Sequence, residues 1–192
     1  MELMAAINPS EKPYIKMSVI SLWKNRIPWL LLLMISATVT GMIITKFEDA
    51  LSACVLLTAY IPMLMDSGGN CGSQASVTII RALSLGELKL GDILRVMWKE
   101  ARVAVMCGIT LAVVNFVKLL ILDRVTVPIA LTICITLALT VFVAKIVGCS
   151  LPMLAKRVGL DPAVMASPFI TTIVDALSLL IYFTFARIIL GL

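Results

Sequence analysis

Five long apolar segments, set apart by short charged turns, make up almost the whole chain. The first runs from about Pro28 to Thr45 and ends at Lys46, Glu48 and Asp49. The second begins near Ala50 and meets its next clear surface signal at Arg81 to Lys89. The third runs from about Leu94 to Leu122, with Asp123 and Arg124 as the turn. The fourth runs from Val127 to Leu154, closed by Lys156 and Arg157, and the fifth from Ala163 to Leu190. A helix needs about 20 predominantly apolar residues to cross the hydrocarbon layer. These runs are too long and too continuous for barrel strands. The pattern predicts an all-α integral membrane protein with five transmembrane helices in a lipid bilayer. Ahead of them, residues 1–26 start with a helix entry at Asn8-Pro9-Ser10-Glu11. Ile15, Val19, Leu22 and Trp23 then recur at helical spacing among Lys12, Lys16, Lys24 and Arg26. They read either as an amphipathic helix on the membrane surface or as a connector from a regulatory part. The chain divides accordingly into a connecting helix, 1–26, and a five-helix transmembrane domain, 27–192.

The second segment breaks the apolar pattern. Its thirty or so residues amount to about 45 Å of helix against a core of about 30 Å, so a tilt, bend or protrusion is expected. Pro62, Gly68-Gly69 and Gly72 offer the break. The same stretch carries Asp66, Asn70, Ser73, Gln74 and Ser76. Unpaired polar groups in lipid cost several kcal/mol each, so polar backbone and side chains at this depth belong where they meet protein or water.

Composition sharpens the picture. Of the 192 residues, 61% are hydrophobic, against about 45–50% in soluble domains, and the mean hydropathy is +1.08. The net charge of +5 comes from basic residues next to apolar runs, which argues for membrane flanks and against a nucleic-acid surface. Lys12, Lys16, Lys24, Arg26, Arg81, Lys89, Arg95, Lys99, Arg102, Lys156 and Arg157 fall on one side of the five spans. Lys46, Lys118, Arg124 and Arg187 fall on the other. The positive-inside rule then places the N-terminus in the cytoplasm and the C-terminus outside. There is no histidine, and the five cysteines have no CxxC spacing, so a zinc or disulfide framework is not expected. No nucleophile–base pair stands out, so an enzyme is not expected either.

Asp175 is the sharpest single residue. It lies about 18 Å along the fifth segment, near mid-membrane, where a carboxylate costs about 2.5–3.5 kcal/mol on insertion scales. Ser167, Thr171, Asp175 and Ser178 follow helical spacing and make one polar stripe. Pro168 removes a donor and frees the Val164 carbonyl. Asn70, Ser73, Gln74 and Ser76 add neutral oxygens from the second segment. Asp66 either faces the same path or caps the next helical piece. Lys145 either snorkels toward the cytoplasm, takes part in the path, or pairs with Asp175. Asp161 either caps the fifth helix or makes a cytoplasmic metal contact. Glu48, Asp49 and Asp123 are outer turn charges that attract cations weakly at most. Oxygen ligands without histidine or clustered thiols suit a hard divalent cation rather than a soft one. One such acid per chain is thin, and a two-fold homodimer supplies a second.

The order of these motifs resembles the membrane domain of the MgtE magnesium transporters and channels. The resemblance rests on Pro62 to Gln74 with Ile80-Arg81-Ala82-Leu83, on Val147-Gly148 with Leu151-Pro152, and on Asp161-Pro162-Ala163. Thr171 to Asp175, Leu180-Ile181-Tyr182 and Ala186-Arg187 complete it. It implies a homodimer with a pore at its interface, walled by the second and fifth helices, in a prokaryotic plasma membrane. It implies that Asp175 and the Thr171 carbonyl hold hydrated Mg2+, and that Ser73 and Ser167 belong to the same pore, where serine replaces the family's asparagine. Lys145 also replaces an asparagine. The family's acidic helical domain and paired CBS domains normally precede a connecting helix, which residues 1–26 resemble. Their absence implies either an excised membrane domain or a short member, with weaker closure by cytoplasmic magnesium. The leading functional expectation is a channel moving Mg2+ into the cytoplasm. A transporter coupled to Na+ or H+ and a non-transporting scaffold are the alternatives.

Overall fold

The computed structural model describes residues 14–165 and 167–191. The expected helix entry at Asn8 to Glu11 lies outside the described residues. Among the described residues six α-helices follow in chain order: α1 (Val19–Lys46), α2 (Glu48–Ala53), α3 (Ile61–Ser84), α4 (Ile93–Ile121), α5 (Val127–Arg157) and α6 (Ser167–Leu190). Among the described residues four helices are long and apolar enough to cross a membrane: Val19–Lys46, Leu90–Ile121, Val127–Arg157 and Pro168–Leu190. The chain is a multi-pass membrane protein. The helix α3 has 24 residues, about 36 Å at 1.5 Å per residue. It has the length to span, and its polar residues alone set it apart from those four.

Three expectations about helix limits change. The first helix does not start at Pro28. It starts at Val19, where the Ser18 Oγ accepts from the Ser21 N–H at 3.2 Å, and it runs through Pro28 without stopping. Residues 19–26 therefore extend α1 and do not form a separate surface helix. The second segment is not broken at its glycines. The interruption comes earlier, between α2 and α3, where Cys54 leaves helical backbone (φ −141°, ψ 81°) and a 3-10 stretch covers Val55–Tyr60. Pro62 then falls in the first turn of α3, where its missing N–H costs no bond. The fifth helix starts at Ser167 after a 3-10 turn, Pro162–Met165. Pro168 thus also sits in a first turn, and frees no carbonyl inside a helix.

The bundle is centred on α5. It packs against α3, α4 and α6, while α3 also packs on α6 and α1 lies outside against α6. The span in α1 has none of its residues buried. Glycines set the tight seams. A Cβ at Gly72 would sit 2.8 Å from Ile170 Cγ2 and 3.1 Å from the Ala144 carbonyl. A Cβ at Gly148 would land on the Gly72 carbonyl oxygen. Gly68, Gly69 and Gly72 thus serve close helix approach rather than a kink, which is how small residues act between membrane helices.

Candidate functional site

The N-terminal end of α3 is tied down from two sides. The Tyr182 hydroxyl on α6 donates to the Leu57 carbonyl at 3.0 Å, which anchors the 3-10 stretch. The Tyr60 hydroxyl donates to Asp123 Oδ2 at 3.1 Å, and Lys118 Nζ donates to the same oxygen at 2.8 Å. The Lys118 bond, aided by Tyr60, holds the Asp123 carboxyl below its usual range against a smaller opposing effect of burial. Tyr60 immediately precedes α3, so these contacts fix where that helix begins.

From there α3 presents two different faces. Leu64, Gly68, Gly72, Ala75, Ile79 and Leu83 are buried against the bundle. Pro62, Asp66, Asn70, Gln74 and Thr78, four residues apart each time, are exposed on the opposite side. The neighbouring α6 runs antiparallel. A Cβ at Gly72 would meet Ile170, one at Gly69 would meet Thr171 at 3.0 Å, and one at Gly68 would meet Val174 at 2.8 Å. This register sets Asn70 level with Thr171 and Asp66 level with Asp175. Met65, Asp66, Gly69, Asn70, Thr171 and Asp175 line one cavity of about 180 Å³. At roughly 30 Å³ per water, that is room for an ion with its water rather than a bare ion.

Two carboxylates, an amide and a threonine thus converge from two helices. Among the described residues neither Asp66 nor Asp175 is paired with a cation, since Lys145 goes elsewhere. Its Nζ lies 3.8 Å from Glu100 Oε2 on α4, with both side chains largely buried. Lys145 therefore neither pairs with Asp175 nor snorkels to the surface: the Glu100 carboxylate holds it inside the bundle. The Thr171 and Thr172 hydroxyls donate to the Pro168 carbonyl at 2.9 and 3.1 Å. Thr171 lines the cavity and turns its methyl toward Gly69.

The family model described as "MgtE: Divalent cation transporter" matches residues 61–185, from the start of α3 to within α6. The chain belongs to the MgtE family. It is 36% identical over 188 residues to the magnesium transporter MgtE of Thermus thermophilus, covering 97% of this chain and 41% of that protein. It is 34% identical over 166 residues to the magnesium transporter MgtE of Bacillus subtilis, with 84% and 36% covered. Its identity to the magnesium transporter MgtE of Enterococcus faecalis is 30% over 165 residues. The chain spans about two fifths of the length of these curated relatives.

Within this MgtE chain, the residues picked from sequence divide into groups. Asp175, Thr171 and Asn70 come together at the cavity. Gln74 continues the exposed face of α3, one turn beyond Asn70, and Ser73 lies half-buried beside it. Ser178 leaves the stripe: it is buried, donates to the Val174 carbonyl at 2.6 Å and faces Gly68. Asp161 is exposed and accepts from the Ala163 N–H at 2.9 Å, capping the 3-10 turn away from the cavity. The side chain of Ser167 lies outside the described residues. Asp66 is five residues into an unbroken α3, so it caps nothing. Its four-residue spacing to Asn70 and Gln74 was the available sign that it shares their face.

Proposed function

We propose that this chain forms a homodimeric Mg2+ channel in a prokaryotic plasma membrane. In this reading α3 is a fifth span, the N-terminus is cytoplasmic and the C-terminus lies outside. Residues 27–192 form the pore domain and residues 1–26 its cytoplasmic lead-in. The observation that carries the reading is the exposed polar face of α3, whose Asp66 and Asn70 line one cavity with Thr171 and Asp175. Against lipid, each such group would cost several kcal/mol. Across a two-fold axis, the faces of two copies wall one aqueous path.

Asp175 is the acid of that path, and Thr171 and Asn70 supply neutral oxygens. Mg2+ gives up its water reluctantly and is commonly held through one or two carboxylates, which suits a cavity of this size. The names and family of the relatives support magnesium as the ion, and an inside-negative potential gives the direction. Ser73, Gln74 and Ser167 belong to the inner part of the same wall, and Asp161 to its cytoplasmic approach.

The test is Mg2+ entry into proteoliposomes holding a magnesium-sensitive dye, under an inside-negative potential. The unaltered chain should fill the vesicles and Asp175→Ala, with its assembly intact, should not. Equal entry in both would remove Asp175 from the path. A reversal potential that follows magnesium alone, with sodium and pH varied, separates a channel from a coupled carrier.

A further inference from the structure

We infer that Asp66 is a second cation-holding carboxylate of the pore, forming one rung with Asp175 above an inner rung of Asn70 and Thr171. The inference rests on the cavity being the ion path, as proposed above. Asp66 and Asp175 stand on different helices and line the same space. The antiparallel register places them at one level and Asn70 with Thr171 at the next, about 6 Å further in along α3.

The other roles open to Asp66 are excluded by position. It is past the first turn of α3, where a helix N-terminus stabilises a carboxylate. It makes no side-chain hydrogen bond or ion pair among the described residues. Aspartate is also a poor helix former, and this one follows Met63, Leu64 and Met65 in a helix otherwise suited to packing. What remains is the cavity, where a carboxylate accepts hydrogen bonds from a metal's water shell or ligates the metal itself.

The consequence is a matter of charge. Two carboxylates per chain facing one small space repel each other until a cation sits between them. A divalent ion balances both, whereas a monovalent ion balances one. Asp66 therefore sets affinity and the preference for divalent over monovalent cations, while Asn70 and Thr171 receive the ion on its way in.

The experiment compares the unaltered chain with Asp66→Asn, Asp66→Glu and Asp175→Asn in proteoliposomes. It measures the Mg2+ concentration for half-maximal entry and the block by cobalt(III) hexammine, an inert stand-in for a hydrated divalent ion. Magnesium-dependent thermal stabilisation of each purified variant gives a second readout that does not depend on transport. Loss of one charge-assisted contact should raise the half-maximal concentration about tenfold in Asp66→Asn. Block and thermal stabilisation should weaken in parallel, and Asp66→Glu should restore most of all three. Asp66→Ser replaces Asp66→Asn if that variant does not assemble. Unchanged values in Asp66→Asn beside a weakened Asp175→Asn would overturn the role of Asp66 and leave the ion path standing. Equal behaviour of Asp66→Asn and Asp66→Glu would overturn it too, since shape rather than charge would then be at work. Unchanged values in both Asp66→Asn and Asp175→Asn would sink the ion path, and this inference with it.

Discussion

The seam between α3 and α5 carries the most demanding test of the fold, through Gly148→Ala. The added methyl would land on the Gly72 carbonyl oxygen and lie 2.9 Å from its carbon and 3.0 Å from its Cα. All three atoms are backbone, so no rotamer relieves the contact. Ordinary carbon contacts need about 3.5–4.0 Å, and the two helices must part by roughly 1 Å. Overpacking of this kind costs about 3 kcal/mol, the upper end of its usual range. Alanine returns about 1 kcal/mol as the better helix former. The net loss is about 2 kcal/mol, or roughly 4–8 °C in melting temperature for a chain of this size. Gly41→Ala is the companion, because nothing lies within 4 Å of its added methyl; there the propensity gain stands alone and the sign reverses. Thermal unfolding of both purified variants in one detergent measures the difference. Mg2+ entry should also fall in Gly148→Ala, since moving α3 shifts Asp66 and Asn70 against Asp175. Two variants melting within about 1 °C of each other would refute the tight seam.

Three further outcomes follow from contacts elsewhere. Tyr182→Phe removes the buried hydroxyl that pairs with the Leu57 carbonyl; a loss of about 1–2 kcal/mol should appear in the same melting assay. Lys145→Met leaves Glu100 uncompensated inside the bundle and should cost about 3 kcal/mol. The double variant Lys145→Met/Glu100→Gln should recover most of that in a double-mutant cycle. The depressed Asp123 carboxyl adds stability above its unfolded value near pH 4 and loses it as pH falls through its lower folded value. Melting temperature followed from pH 7 down to 3 should therefore decline less at the acid end in Asp123→Asn than in the unaltered chain.

Much of this protein is determined locally. Apolar length against bilayer thickness set the membrane class, and Asp123-Arg124 and Lys156-Arg157 marked the turns near where α4 and α5 end. Asp175 stood out because a carboxylate in an apolar run has no cheap explanation. Other features depended on what lies across the helix. Glycine marks a kink and a close contact with the same letter. The backbone of α5 and the side chains of α6, more than a hundred residues away for Thr171 and Val174, decided that Gly68, Gly69 and Gly72 pack inside an unbroken α3. Lys145 had a carboxylate to find, and spacing offered Asp175, yet the rotation of α5 turned it to Glu100. Ser178 shares a helical stripe with Asp175 on paper, but the approach of Gly68 buries it. Asp66 was readable as a cap while a break in the second segment was in prospect. It became a wall of the cavity once α3 began at Ile61 and its register against α6 was set. Sequence by itself determines which residues lipid cannot tolerate unpaired, because that cost belongs to each residue. The tertiary structure alone decides which partner each one meets, because helix rotation and register are fixed by packing between segments far apart in the chain.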